Sequence, residues 1–261
     1  MEQRSSFVTV DAFKGIPVKA AYTTRQNGKS EGDYSSFNLG LHVEDDPKDV
    51  LQNRLALEKH LSKKVVFMNQ THSDKVVLVD KNDACKSEEM LLEQVPLSLG
   101  VEADGIVSSD KSIALAVLTA DCLPLLMTTG DGCVVSAVHC GWKGVYSNII
   151  KNAVELIRKL NQSEISAYLG PCIGPESFEV GPELLEKFKC ILPGAEQAFT
   201  PKDNGKYLCS LPFLTRMQLE RLGVTRITES CVDTFKNPEL LYSYRRAKRT
   251  GRMASVICSS L

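Results

Sequence analysis

The sequence predicts a single α+β domain over residues 1–261, with mixed β-sheets covered by outer helices. Three observations carry that expectation. Residues 113–120 and 133–139 are apolar at nearly every position, which marks strands covered on both faces, because half-buried strands alternate. After Gly144 a 3.6-residue period begins. It places Val145, Ile149, Ile150, Ala153, Leu156, Ile157 and Leu160 on one side and Lys151, Asn152, Glu155, Arg158 and Lys159 on the other. No repeat, low-complexity tract or linker interrupts the alternation of strand-like and helix-like segments.

Taken in order, residues 7–13 and 17–23 are β-branched and alternating, and predict a strand pair around a Lys14-Gly15 turn. The stretch TTRQNGKSEGDYSSFNLG has no period and reads as a long loop, a place where binding residues concentrate, with Arg25 and Asn38 as candidates. Asp46 then suits an N-cap, Pro47 a first turn and Asp49 the positive end of a helix with Val50, Leu51, Leu55 and Leu61 as a partial stripe. Residues 65–68 and 76–80 read as short strands flanking NQTHSDK, which places His72 in a turn. Residues 81–100 predict a loop with a short helix, and 106–108 a strand. Beyond the long helix, strands are expected at 165–169 and 225–229 and helices at 182–190 and 211–222, the last stopped by Gly223. Between them the glycines and prolines of GPCIGPESFEVGPE exclude regular structure. The chain ends in a basic turn, with Arg245, Arg246, Lys248, Arg249 and Arg252, that feeds a final strand. Such a cluster can hold a phosphate or carboxylate.

Composition narrows the function. With 43% apolar residues, 24% charged residues and a net charge of -1, the chain has no basic field for nucleic acid or an anionic membrane. The opening MEQRSSFVTV lacks an apolar signal region, and the greasy stretch 113–127 is short for a bilayer span and contains Asp121. A cytoplasmic protein is therefore expected. Nine cysteines without a CxxC pair then predict reduced thiols, most of them small buried hydrophobes. Only four histidines are present: His42, His60, His72 and His139.

The two apolar runs lead to Cys122, inside TADCLP, and His139, inside VHCGWKG, at the rim where sites on buried sheets are built. His72, Cys122 and His139 match no local metal motif in their spacing. Spacing alone leaves both a joint metal site and unrelated buried residues open.

The motifs themselves resemble a family. Tyr22-Thr23-Thr24-Arg25, Ser36-Phe37-Asn38-Leu39-Gly40, Asn69-Gln70-Thr71-His72, Ala103-Asp104-Gly105 and Thr119-Ala120-Asp121-Cys122-Leu123-Pro124 are followed by His139-Cys140-Gly141-Trp142-Lys143-Gly144, Gly170-Pro171-Cys172-Ile173-Gly174 and Tyr242-Ser243-Tyr244-Arg245-Arg246. In that order they resemble the signatures of the YfiH-type laccase-domain family, long filed as polyphenol oxidases, and they cover nearly the whole chain. The resemblance implies that His72, Cys122 and His139 bind one zinc ion. It also implies a purine nucleoside phosphorylase acting on adenosine, inosine, guanosine and methylthioadenosine, with adenosine deaminase activity. Purine nucleosides and phosphate would be its partners. Within that reading Asp121 is a candidate proton carrier. Arg25 and Arg245 or Arg246 are candidates for phosphate, with Lys143 behind them. Asn38 and Gln70 are candidates for ribose or base, and Trp142 for stacking.

The sequence departs from the family pattern at Cys140, where alanine is usual, at Lys143, where arginine is usual, and at Ser210, where an acidic residue is expected. Lysine keeps the charge but loses the bidentate fork. Two other classes remain open. The oxidase name implies copper, with a distant Met68 or Met127, although four histidines are too few for a trinuclear cluster. A hydrolase would use Cys122 as nucleophile and His139 as base.

Overall fold

The computed structural model of the protein describes residues 5–92 and 96–261, and residues 93–95 of the predicted 81–100 loop lie outside that range. Two large sheets dominate. A five-stranded sheet runs in the order Phe7–Thr9, Val18–Thr23, Met253–Ser259, Ile113–Thr119, Lys64–Val66. A six-stranded sheet runs Arg226–Glu229, Ile165–Leu169, Leu123–Thr129, Val135–Cys140, Gly105–Ser108, Val76–Leu78. Both sheets mix parallel and antiparallel pairs.

Alternation along each strand explains the layers. From Ile113–Thr119, residues Ile113, Leu115 and Val117 meet Val135, Ala137, Leu126 and Tyr168 of the other sheet in one buried cluster, so the sheets pack face to face. The opposite side chains, Ala114, Ala116 and Leu118, pack with Leu57 and Leu61 of the helix Pro47–Leu61. On the far face of the six-stranded sheet, Leu123, Leu125 and Met127 join Ile149, Ile150, Ala153 and Ile157 of the helix Ile149–Leu160 and the apolar sides of Pro182–Ile191 and Leu211–Arg221. Helix, sheet, sheet and helix are thus stacked around three cores, as the α+β prediction requires. Truncating one of these filled positions, such as Ile150, to alanine costs about 2–5 kcal/mol.

Several elements differ from the sequence reading. The two apolar runs lie in different sheets, and between them stands a strand the sequence did not separate, Leu123–Thr129, central in its sheet. Residues 113–127 read as one greasy run because both strands are buried on both faces, and only the 120–122 crossing divides them. The predicted helix after Gly144 is two helices, Trp142–Tyr146 and Ile149–Leu160, because Asn148 takes a left-handed φ of 72°. The N-terminal strands are shorter than predicted: after Phe7–Thr9 a 3-10 turn, Asp11–Phe13, drops Phe13 into the inter-sheet core. A small sheet of Glu179–Val180, Tyr207–Cys209 and Phe199–Pro201 went unread, its strands being too short to show a period. Ser210 caps the helix Leu211–Arg221, its hydroxyl accepting from the Phe213 amide.

Candidate metal centre

The chain crosses from the five-stranded to the six-stranded sheet at Ala120-Asp121-Cys122, and this crossing delivers Cys122 to the rim. Asp121 has a φ of 108°, a backbone strain usually reserved for glycine. It is held there by three partners: the carbonyl accepts from the Ile173 amide at 2.8 Å, and the carboxylate accepts from Thr234 Oγ1 and the Arg245 amide, each at 2.6 Å. His139 reaches the same rim from the strand Val135–Cys140, and strand alternation sends the neighbouring Cys140 into the helix-covered core. Cys140 is fully buried and its thiol is pushed well up by that burial, so it faces away from the chemistry.

His72 arrives on a turn with a φ of 61°. One carboxylate fixes that turn. Asp104 accepts from the amides of Thr71, His72 and Ser73 at 3.1, 3.0 and 2.7 Å, and from the Ser73 hydroxyl at 2.7 Å. The same group takes His139 Nδ1 at 2.8 Å, leaving Nε2 for other work. Asp104 therefore positions two of the three predicted ligands. Burial alone would raise its carboxyl, but the bonds from His139 and Ser73 outweigh that and hold it well below the usual carboxylate range.

One donor atom each from His72, Cys122 and His139 lies within 4.8 Å of the others, with Cys122 Sγ 3.9 Å from His72 Nε2. A tetrahedral zinc ion with nitrogen and sulfur ligands sets donors about 3.3–3.6 Å apart, so modest side-chain rotation closes the set. The electrostatics agree. Burial opposes charge on Cys122, yet His139 and His72 draw its thiol down to about 6. Burial opposes a proton on His139, yet Cys122 and Asp104 raise it to about 9. The cluster thus stabilises a thiolate facing imidazole nitrogen, the donor set of a borderline-soft divalent ion. Space is reserved as well: a Cβ on Gly141 would stand 3.2 Å from both Cys122 Sγ and His72 Cδ2. Among the described residues this is the one cluster of three or more such side chains able to hold a metal.

Beside Cys122 opens a cavity of about 210 Å³, bordered by Trp142, Phe178, Tyr244, Arg245, Lys248 and Asp121. The other predicted residues fall elsewhere or are already engaged. Arg25 gives Nε to the Ser35 carbonyl and Nη1 to the Pro238 carbonyl, while its guanidinium lies over the Tyr242 ring. Arg246 gives its guanidinium to the carbonyls of Thr234, Phe235 and Leu241. Asn38 is fully buried and staples Gly40, Asp45 and the Arg252 amide. Gln70 completes a strand-like pair with the backbone of Leu118, donating to its carbonyl and accepting from its amide, both at 2.8 Å. Lys143 is exposed on the short helix, its Nζ 5.9 Å from the Trp142 ring. Met127 lies three residues along its strand from Pro124, the residue paired with His139, or about 10 Å away. Met68 is buried in the inter-sheet core.

The profile of the family described as multi-copper polyphenol oxidoreductase laccase matches residues 19–260. The chain belongs to this family. The chain is similar to the purine nucleoside phosphorylase of Haemophilus influenzae, 38% identical over 245 residues, which are 92% of this chain and 93% of that protein. The purine nucleoside phosphorylase YfiH of Escherichia coli is 37% identical over 243 residues, 92% of this chain and 93% of its own. Among solved structures, a Neisseria meningitidis protein with 34% identity superposes with a TM-score of 0.87, covering 98% of this chain and all of its own. YlmD from Geobacillus stearothermophilus, at 26% identity, gives 0.89 and covers 100% and 98%. The fold is thus that of the YfiH-like proteins. No helix among the described residues is long and apolar enough to cross a membrane.

Sequence reasoning singled out the three ligand candidates but passed over their supports. Asp104 stood inside a recognised block without a role, and its signal was a carboxylate two residues before a strand. Gly141 and Tyr244 were likewise quoted only as parts of motifs, since neither carries a group that advertises chemistry.

Proposed function

We propose that the protein is a zinc-dependent purine nucleoside phosphorylase, acting also on methylthioadenosine and deaminating adenosine, and that it works in the cytoplasm. The observation that carries this reading is the convergence of His72, Cys122 and His139 beside an aromatic-walled cavity, in a chain whose full-length relatives bear the phosphorylase name. His72, Cys122 and His139 would hold the ion, with Asp104 keeping the proton on His139 Nδ1. When bound, zinc would supply positive charge that polarises a substrate oxygen.

The remaining work belongs to the chain. Phosphorolysis breaks the bond between ribose C1′ and the base nitrogen while a phosphate oxygen bonds C1′, and the base leaves with the electron pair and takes up a proton. Trp142, Phe178 and Tyr244 would receive the flat base and exclude water from it. Arg245 and Lys248 place positive charge at the same cavity, where it offsets charge on phosphate and on the departing base. Asp121 is half-buried, and desolvation raises its carboxyl, while its bonds to Thr234 and the Arg245 amide suit it to holding Arg245 in place. Arg25 and Arg246 brace the loops behind that residue.

Incubation with inosine, with and without phosphate, tests the proposal. Phosphate-dependent release of hypoxanthine supports it, and no release under either condition contradicts it. A second reading is favoured by one observation: Cys122, His139 and Asp104 are aligned as thiol, base and orienting carboxylate, the order of a cysteine hydrolase. That reading requires activity in metal-free protein and loses it on alkylation of Cys122. A copper oxidase would need copper to predominate after purification without added metal.

A further inference from the structure

We infer that His42 and Arg252 form the subsite that receives inorganic phosphate, beside the metal centre and outside the aromatic cavity. The inference rests on the phosphorylase reading and names the groups that bind its second substrate.

These two residues are far apart in sequence and are locked together by their backbones. Asn38 Oδ1 accepts from the amides of Gly40 and Arg252 at 2.9 and 2.8 Å, and the Leu39 amide donates to the Arg252 carbonyl at 3.1 Å. The fully buried Arg54 supports the same loop, giving Nε to the Leu39 carbonyl at 3.0 Å. Gly40 shows how closely the side chains then pass. A Cβ there would stand 2.8 Å from Arg252 Cγ and 3.2 Å from His42 Cε1, so only glycine lets both lie against this position.

The charge at this spot is one-sided. Desolvation by the surrounding walls lowers the His42 imidazole to about 4, and the neighbours that push it further down, Arg252, Arg54, His139 and His72, are all cationic or able to become so. His42 is nonetheless exposed, so a solute can reach it. Arg252 is half-buried and spends Nη1 on the carbonyls of Thr250 and Gly251. Among the described residues its Nε and Nη2 have no hydrogen bond or ion pair. The guanidinium lies 5.9 Å from the centre of the Tyr244 ring, which borders the cavity beside Cys122. The nearby carboxylates have partners of their own. Asp121 takes Thr234 and the Arg245 amide, Asp45 takes Asn38 and the Asp46 amide, and Glu44 reaches out to Arg249. What the spot lacks is an anion.

Phosphorolysis needs such a place. A phosphate oxygen gives its electron pair to C1′ on one side while the C1′–N pair leaves with the base on the other, so phosphate and base require separate sites. With the base in the aromatic cavity, His42 and Arg252 stand outside it, adjoining Tyr244 and the metal centre. The planar fork of Arg252 can engage two phosphate oxygens, and a neutral imidazole still has one N–H to donate to a third.

Steady-state kinetics of hypoxanthine release by zinc-loaded protein, with phosphate and inosine varied separately, tests the subsite. Arg252→Lys keeps the charge and loses the fork, and His42→Phe keeps a ring and loses the donor. Each should raise the KM for phosphate about tenfold or more and leave the KM for inosine within about threefold. A general loss of folded enzyme lowers kcat and moves neither KM. An unchanged KM for phosphate in either variant, or an equal rise in both KM values, overturns the inference. Calorimetric titration of the same zinc-loaded proteins with inorganic phosphate alone gives a second readout, in which each variant should bind about tenfold more weakly than wild type. No binding by wild type, or equal binding by all three proteins, overturns it as well. If inosine is not cleaved, the phosphorylase reading fails while this titration still decides the subsite.

Discussion

Asp104→Asn is the most instructive perturbation, because it leaves the three ligand candidates in place and removes what positions two of them. The carboxylate accepts from three successive amides, the Ser73 hydroxyl and His139 Nδ1. An asparagine keeps one acceptor oxygen and turns an amino group toward donors, so at least one of these partners loses its bond. Replacing outer-shell partners of metal ligands typically weakens binding about 10–100-fold, or about 1.4–2.8 kcal/mol. A bond to a charged group adds about 1.5–3 kcal/mol to folding, a visible part of a total of about 5–15 kcal/mol. The acid side should change too. Because Asp104 is held below its usual range, its stabilisation is complete above about pH 4 and fades as pH falls through the lower folded value. The variant should therefore melt earlier at neutral pH and converge toward wild type in strong acid. Zinc competition against a chromophoric chelator measures the affinity, and calorimetry the stability. An affinity within twofold of wild type, in a variant that still folds, would refute the positioning role.

Other consequences follow from the same geometry. In metal-free protein, Cys122 should react with iodoacetamide at a rate that climbs as pH rises through about 6, instead of through the ordinary thiol range, and added zinc should protect it. His139→Ala should shift that midpoint upward, since the neighbouring imidazole draws the thiol down. Gly141→Ala adds a methyl 3.2 Å from Cys122 Sγ and His72 Cδ2; zinc affinity should drop about tenfold or more while the melting temperature moves little, as chelator competition and calorimetry would show. Asn38→Ala should cost about 1–3 kcal/mol of stability in urea unfolding but leave the KM for inosine within about twofold, because its amide is spent on Gly40, Asp45 and Arg252.

How far these features were legible depended on whether they are local. The helix Pro47–Leu61 was readable because Asp46 caps it and Pro47 starts it within three residues. The strands ending near Cys122 and His139 were readable from their continuous apolar character, but their assignment to two sheets was not. Face-to-face packing is decided by partners far away in sequence, and Leu123–Thr129 merged with the strand before it. At the site, Cys122 and His139 stood out as polar or thiol groups at the ends of greasy runs. His72 did not, since a histidine in a polar turn is ordinary until Asp104, 32 residues on, gathers that turn's amides. The roles of the arginines were not legible for a related reason. A basic cluster looks alike whether its donors serve a ligand or, as for Arg25 and Arg246, the carbonyls of neighbouring loops.

The most direct measurement is a titration of metal-free protein with zinc in the presence of inosine and phosphate, following hypoxanthine release. Activity should rise in proportion to added zinc and level off at about one equivalent per chain, with Cys122→Ser staying near background throughout. Full activity before any zinc is added, or a rate indifferent to the loss of the Cys122 sulfur, would contradict the three-ligand centre.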